Sequence, residues 1–571
     1  MPRWLAFAAI VIQVSGTFSA SSEAQLTEKV PDTFSLVIVN GRVYTADGRG
    51  TVADAVAVRG SRIAAVGTTA DIRAMAGEKT TVVDARGGSV LPGFQDSHIH
   101  FLSGGLSLDE ATLLDASTFD EVIRTIRDFA ARRPERPWVA GRGWYYAAFP
   151  GGLPTRQQLD EAVPDRPAYM ECYDGHTGWA NTRALTLAGI TRDTPDPRHG
   201  EIVRDAKTGE PTGVLKESAT ELVTKMMPKP SRDDRLRALR AAMREANRVG
   251  ITSVQNASGS AAEFELYDAL RRSGEMTVRV SSALNIEPGF SDADAVRFDE
   301  VRRTYADDPW FRVRAVKLYA DGVIEAFTAA MLEPYATRAT IGLSNYTPDE
   351  LNRIVATMDR EGWQIFIHAI GDRGVRMALD AFERAAAGNP APARGRRHRI
   401  EHIETIDAAD VPRFGALGVI ASMQPYHGTP TPNQSSVWSG NIGPARAARA
   451  WVYGSIARAG GRLAFGSDWP VVSLDPRIGI HVATTRTTLE GQPEGGWLPG
   501  ERLPLARVID AYTRDAAWAS FDDHRTGSLT PGLLADLVVM EENLFAAAPD
   551  RLAKVPVRMT VVDGRIVHTS P

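Results

Sequence analysis

Ser89-Val90-Leu91-Pro92-Gly93-Phe94-Gln95-Asp96-Ser97-His98-Ile99-His100 is an apolar run, a Pro-Gly break and two histidines spaced i, i+2. On an extended strand, alternate side chains leave the same face. His98 and His100 can therefore aim both imidazoles at one point, as a divalent ion requires. An H-x-H pair alone carries little weight, because a chain of 571 residues produces some by accident. Its weight comes from other ligand-type residues at the ends of similar apolar runs.

Those runs alternate with helical stretches through the middle of the chain, the pattern of a parallel sheet with crossover helices. Candidate strands begin at Ser89-Val90-Leu91, Ile251-Thr252-Ser253-Val254, Thr277-Val278-Arg279-Val280 and Arg312-Val313-Arg314-Ala315. Four more begin at Gln364-Ile365-Phe366-Ile367, His398-Arg399-Ile400-Glu401, Gly418-Val419-Ile420-Ala421 and Arg462-Leu463-Ala464-Phe465. Ser231 is a good N-cap for a helix ending near Gly250. Eight parallel strands predict an α/β chain folded as a (β/α)8 TIM barrel, whose chemistry sits at the C-terminal ends of its strands.

Residues 103–230 are too many for a loop after the first strand and predict a large insertion, placed to shape a substrate pocket. At the chain's ends, Leu36-Val37-Ile38-Val39 runs into the hairpin signal Asn40-Gly41. Ala535-Asp536-Leu537-Val538-Val539-Met540 and Val561-Val562-Asp563-Gly564-Arg565-Ile566-Val567 echo it. The two ends are expected to pair into a small β-sandwich, with residues 32–88 and 526–571 flanking a barrel over 89–525.

Hydrophobic residues make up 43% and charged residues 24%, which suits a soluble globular protein. A net charge of -5 gives no electrostatic reason to expect nucleic acid or an anionic membrane as partner. Arg3 precedes the apolar run Trp4 to Ile12, and small residues around Ser22-Glu23-Ala24 follow it. This is a secretory signal pattern over 1–24, too short to anchor in a bilayer, and predicts export, to a bacterial periplasm on composition. The single cysteine, Cys172, excludes an intramolecular disulfide.

Side by side, the strand ends carry His98 and His100 (first), Lys317 beside Asp321-Gly322 (fourth), His368 (fifth), His402 (sixth) and Asp468 (eighth). Imidazole and carboxylate are the ligands zinc and similar divalent ions prefer. Four histidines and an aspartate at one rim suffice for two ions roughly 3.5–4 Å apart, the arrangement that activates water for hydrolysis.

The pattern resembles the amidohydrolase superfamily, and specifically its amidohydrolase-3 (YtcJ-like) branch. The pieces that carry the resemblance are Pro92 to His100, Asp174-Gly175-His176, Val316 to Gly322, His368 to Asp372, Ile400-Glu401-His402, Gly466 to Pro470, and Gly527 to Gly532 before Ala535-Asp536-Leu537. They run in the family's order along nearly the whole chain beyond the signal. The resemblance implies that His98 and His100 bind one ion and His368 and His402 the second. Lys317 falls where binuclear members carry a carboxylated lysine bridging both, and Asp468 would bind the first ion and handle the proton.

The implied reaction is hydrolysis of a non-peptide carbon–nitrogen bond in an amide, N-formyl or N-acyl amine. A metal-activated hydroxide would attack, with Asp468 as general acid and base and zinc the expected metal. The substrate is a small molecule; His176, Trp144 and Tyr145 in the insertion are the candidate contacts, and a homodimer is the expected assembly. A strand-end lysine can instead pair with Asp321, and Glu401 and Glu404, flanking His402, are expected to orient it. Competing readings are a mononuclear or ester/lactone hydrolase on the same scaffold, and a non-catalytic periplasmic binding protein, which has no need of such a ring of ligands.

Overall fold

The computed structural model describes residues 33–305 and 308–570; the expected signal peptide at 1–24 lies outside them. Eight parallel strands form one sheet in chain order: β1 (Phe94–Ile99), β2 (Ile251–Gly259), β3 (Arg279–Asn285), β4 (Phe311–Tyr319), β5 (Gln364–Ala369), β6 (Arg399–His402), β7 (Ile420–Met423) and β8 (Arg462–Phe465). Their sequences are near-continuous apolar runs because both faces are covered: all six residues of β5 are buried, as are all four of β6 and of β7. Ser231 caps Arg232–Arg248, accepting from the Asp234 amide in a capping box.

The sheet is a nearly closed barrel. Between β8 and β1 the closure comes just past the strand ends. The Asp468 amide donates to the His98 carbonyl at 2.7 Å and the His100 amide to the Trp469 carbonyl at 2.8 Å. Asp96 Oδ1 accepts the amides of both His98 (3.1 Å) and Ser467 (3.0 Å). Gly466 is what allows the approach, since a Cβ there would lie 2.4 Å from the His98 nitrogen.

One boundary differs from the sequence reading. Ser89–Pro92 is not part of the barrel; it pairs with Arg42–Tyr44 and Leu537–Met540 in a sheet built from the chain's two ends. The chain changes sheets at Gly93, whose amide bonds the Asp536 carbonyl while the next amide, Phe94, bonds Gly250. A Cβ at Gly93 would press to 2.2 Å from Thr252, so the crossing needs glycine.

The terminal segments form that six-stranded sheet and a four-stranded one, Arg62–Gly67, Ala55–Arg59, Leu36–Val39 and Thr81–Asp84. Leu36, Ile38 and Val56 of the smaller sheet share an apolar core with Val90, Leu537 and Val561 of the larger. Between β1 and β2 the chain makes a further six-stranded sheet, running in space from Gly200–Arg204 through Pro211–Glu217, Thr177–Ala180, Ala168–Cys172 and Val139–Trp144 to Ala111–Thr112. Its core takes in Val471 and Val472 from the segment after β8, which ties it to the barrel rim. Among the described residues no helix is long and apolar enough to cross a membrane.

Candidate metal centre and pocket

The barrel's C-terminal face opens into a cavity of about 390 Å³, walled by the insertion and by the long loops after β4 and β7. Its lining includes His100, His176, Lys317, His368, His402, His427 and Asp468. The imidazoles touch one another: ring centres are 5.6 Å apart for His98 and His100, 4.7 Å for His98 and His402, and 4.5 Å for His368 and His402.

Hydrogen bonds decide which ring nitrogen is free. His98 Nδ1 lies 2.5 Å from Glu401 Oε2, and Glu401 Oε1 accepts Arg399 Nε at 2.5 Å. Burial alone would raise the Glu401 pKa, but Arg399 and His98 outweigh it and hold it at about 2. An ionised carboxylate only accepts, so His98 Nδ1 carries the proton and Nε2 presents its lone pair. His402 Nδ1 similarly meets Gln424 Oε1 at 2.8 Å. Burial pushes the pKa of His100 down and those of His368 and His402 well down, leaving neutral rings of the kind a metal requires.

Asp468 gathers the histidines. Its Oδ1 is 3.3 Å from His98 Nε2 and 3.2 Å from His100 Nε2; its Oδ2 is 3.8 Å from His402 Nδ1 and 3.9 Å from His427 Nε2. Burial would raise its pKa, yet the facing imidazoles hold it well below the ordinary carboxylate range. Asp468 and His402 also adopt positive φ, 62° and 75°, a strain found where a site over-determines the backbone.

Lys317 lies fully buried, its Nζ without a hydrogen-bond partner and 4.4 Å from the centre of the Tyr319 ring. Burial pushes its pKa down to about 8, against Glu401 and Asp468. Asp321 is not its partner. That carboxylate accepts the amides of Ala330, Ile370 and Gly371 at 2.8, 3.0 and 2.9 Å, pinning the loop after β4.

Buried His98 Nε2, His427 Nε2, Asp468 Oδ1 and Lys317 Nζ all lack hydrogen-bond partners. Buried polar atoms are rarely left so, and their convergence, with neutral imidazoles around one carboxylate, fits a divalent-ion site. Two ligand groups meet at Asp468: His98 with His100, and His402 with His427. His368 belongs to neither; its Nε2 faces the Gly322 carbonyl at 3.3 Å.

His427 is the residue that sequence reasoning missed. It sits four residues beyond the end of β7, in Gln424-Pro425-Tyr426-His427, and the strand-end rule that found the others would have found it if extended into the loop. Trp144 requires correction. It is fully buried in the insertion core, its indole N–H bonded to the Met170 carbonyl at 3.0 Å, and does not line the cavity. Tyr145 is also outside the lining; its ring is tilted against that of Tyr173, 4.8 Å between centres, and Tyr173 does line the cavity. His176 does line it, with Nδ1 2.9 Å from Glu217 Oε2. Burial would lower the His176 pKa, but Glu217 and Asp174 raise it to about 9, so the ring is cationic at neutral pH.

The model of the amidohydrolase family matches residues 81–568. The chain is 33% identical to the protein LONG AFTER FAR-RED 3 of Arabidopsis thaliana, over 89% of this chain and 87% of that one. It is 28% identical to the N-substituted formamide deformylase of Arthrobacter pascens over 93% and 97% of the two chains, and 28% identical to the amidohydrolase YtcJ of Bacillus subtilis over 92% and 98%. Among solved structures, a metal-dependent hydrolase from Pyrococcus horikoshii superposes with a TM-score of 0.69, at 23% identity, over 90% of this chain and 99% of that one, a likeness of fold. With the family model matching residues 81–568, the chain belongs to the amidohydrolase family, in its amidohydrolase-3 (YtcJ-like) branch, and is a hydrolase.

Proposed function

We propose that the chain hydrolyses a non-peptide carbon–nitrogen bond in a small amide, N-formyl or N-acyl amine, using divalent metal. The observation that carries this reading is Asp468, one ionised carboxylate within 4 Å of four imidazoles at the base of a cavity. The relative named for deformylating N-substituted formamides supports the N-formyl class.

His98, His100, Lys317, His368, His402 and Asp468 would hold the ions, which we take to be two zinc ions, with Lys317 in its carboxylated form. Bound there, divalent ions acidify water and polarise a carbonyl. Asp468, ionised at neutral pH, takes the proton from the attacking water and returns it to the departing nitrogen. His176, held cationic with Nδ1 on Glu217, has its Nε2–H left to donate to the substrate carbonyl oxygen.

A one-ion enzyme, or one acting on an ester or lactone, is the second reading. It is favoured by ligand atoms of His98, His100 and Asp468 all lying within 4.8 Å of one another, enough to hold one ion. Metal analysis of purified protein, with a panel of N-formyl amines, N-acyl amines and lactones, separates the readings. We expect about two tightly bound ions and turnover of the amides; less than one ion per chain, or no amide turned over, overturns the proposal.

The apolar run after Arg3 supports export with cleavage near residue 24, and the shared core of the terminal sheets supports a small β-sandwich beside the barrel. A homodimer remains part of the proposal, tested by sedimentation.

A further inference from the structure

Carboxyl groups dominate the charged lining of the cavity, and most have an answer within the protein. Glu171 faces Arg142 at 3.5 Å, Glu217 faces His176 at 2.9 Å, and Asp468 faces the histidines. Asp174 accepts the His176 amide at 2.9 Å and the Tyr146 hydroxyl at 2.7 Å.

Glu325 and Glu404 are different. They come from the loops after β4 and β6, line the same cavity, and are only 6% and 7% exposed. Among the described residues no lysine or arginine pairs with either. Glu325 Oε1 accepts from the Tyr173 hydroxyl and from Asn433 Nδ2 at 3.2 Å, and Glu404 Oε2 accepts the Trp438 indole N–H at 2.7 Å. Every one of these donors is neutral. The nearest imidazole nitrogen, His427 Nδ1, stands 3.9 Å from Glu404 Oε1, beyond hydrogen-bond reach. Carboxylates taken out of water need a proton or a cation to offset their desolvation.

One further buried group borders the pair unsatisfied. Asn433, 2% exposed, points its amide into the cluster, with Nδ2 3.0 Å from the Tyr173 hydroxyl and 3.2 Å from Glu325, yet its Oδ1 has no donor. Two cavity-lining carboxyls without cationic donors, beside a buried amide oxygen that also lacks one, are met by a group that is both positively charged and rich in N–H. A hydroxyl would leave the charge unanswered, and an anionic substituent would be repelled.

Resting on the amide-hydrolase reading, we propose that the pocket selects substrates carrying a cationic substituent, an ammonium or similar protonated nitrogen, held between Glu325 and Glu404. The volume, about 390 Å³, limits such a substrate to a small amine-bearing amide.

The test uses the metal-loaded full chain and calorimetric titration with benzylammonium and with its neutral isostere, benzyl alcohol, at pH 7. Benzylammonium is expected to bind about tenfold or more tightly than benzyl alcohol, and Glu325→Gln or Glu404→Gln to collapse that ratio towards one. Equal binding by the wild type, or a ratio that survives in both folded variants, overturns the proposal. The wild-type comparison stands even where a variant fails to fold. Because calorimetry needs no turnover, a preserved cation preference with no amide hydrolysed overturns the hydrolase reading alone, whereas turnover without the preference overturns this inference alone.

Discussion

Glu401 Oε2 stands 2.5 Å from Nδ1 of His98, a residue 303 positions earlier in the chain. This contact crosses the barrel and dictates which nitrogen of His98 is left facing Asp468. Glu401→Gln removes the charge that holds the tautomer, and metal affinity should fall about 10–100-fold. Competition against a chromophoric chelator measures it; a variant that keeps its ions as tightly as wild type would show that Glu401 serves only packing.

Asp468→Asn keeps the shape of the side chain and removes its basicity. The kcat for an N-formyl amine should drop by about 10²–10⁴. Steady-state kinetics on a variant shown to be folded by circular dichroism decide it, and an unchanged kcat excludes Asp468 as the proton carrier.

Lys317 is buried with an unpartnered Nζ and a pKa pushed down to about 8, so a reactive share of neutral amine exists near neutral pH. Carboxylation joins that nitrogen to the carbon of carbon dioxide with release of a proton. Lys317→Ala should lower the metal content from about two ions per chain to about one. Elemental analysis by mass spectrometry reads this directly, and two ions retained by the variant would remove Lys317 from the ligand set.

Gly466 lets the segment after β8 lie against β1. A Cβ there would meet the His98 nitrogen at 2.4 Å and Asp96 Oδ1 at 2.7 Å. Gly466→Ala should destabilise the fold by about 1–3 kcal/mol through overpacking. The urea midpoint should fall with an unchanged slope; an unmoved midpoint means the seam yields without cost.

Away from the site, Asp359 Oδ1 lies 2.9 Å from His398 Nε2 and 2.8 Å from Arg396 Nε. Burial would raise the Asp359 pKa, but His398, Asn389 and Arg396 outweigh it and bring it to about 2. A folded pKa below the unfolded one means stability that is fully present above the ordinary aspartate range, near pH 4, and lost as pH falls towards 2. Denaturant titrations at pH 7 and pH 3 should show a smaller acid loss for Asp359→Asn than for wild type. An identical loss assigns the acid sensitivity elsewhere.

The candidate ligand ring was legible because its logic is local. Alternation on a strand puts His98 and His100 on one face, and each remaining ligand closes its own apolar run. Even so, the reading joined Val90-Leu91 to the barrel, because only the partners Asp536 and Gly250 reveal that the chain changes sheets at Gly93. Trp144 looked like a pocket aromatic until the insertion closed over it, and His427 was passed over because it lies beyond its strand.

Glu401 shows the division most plainly. Its neighbour in sequence is His402, which suggested itself as the ring to be oriented. Strand alternation instead sides Glu401 with Arg399, and both reach across the barrel to β1, Arg399 donating to the Ser97 carbonyl at 2.5 Å. His402, turned by its positive φ, takes Gln424. Sequence alone determined the fold class and pointed to the candidate ligands and the elements that carry them, since periodicity and ligand chemistry act over a few residues. Which atoms face one another, and which carboxyls are left without a cation, was decided only when the barrel closed and brought residues hundreds of positions apart into contact.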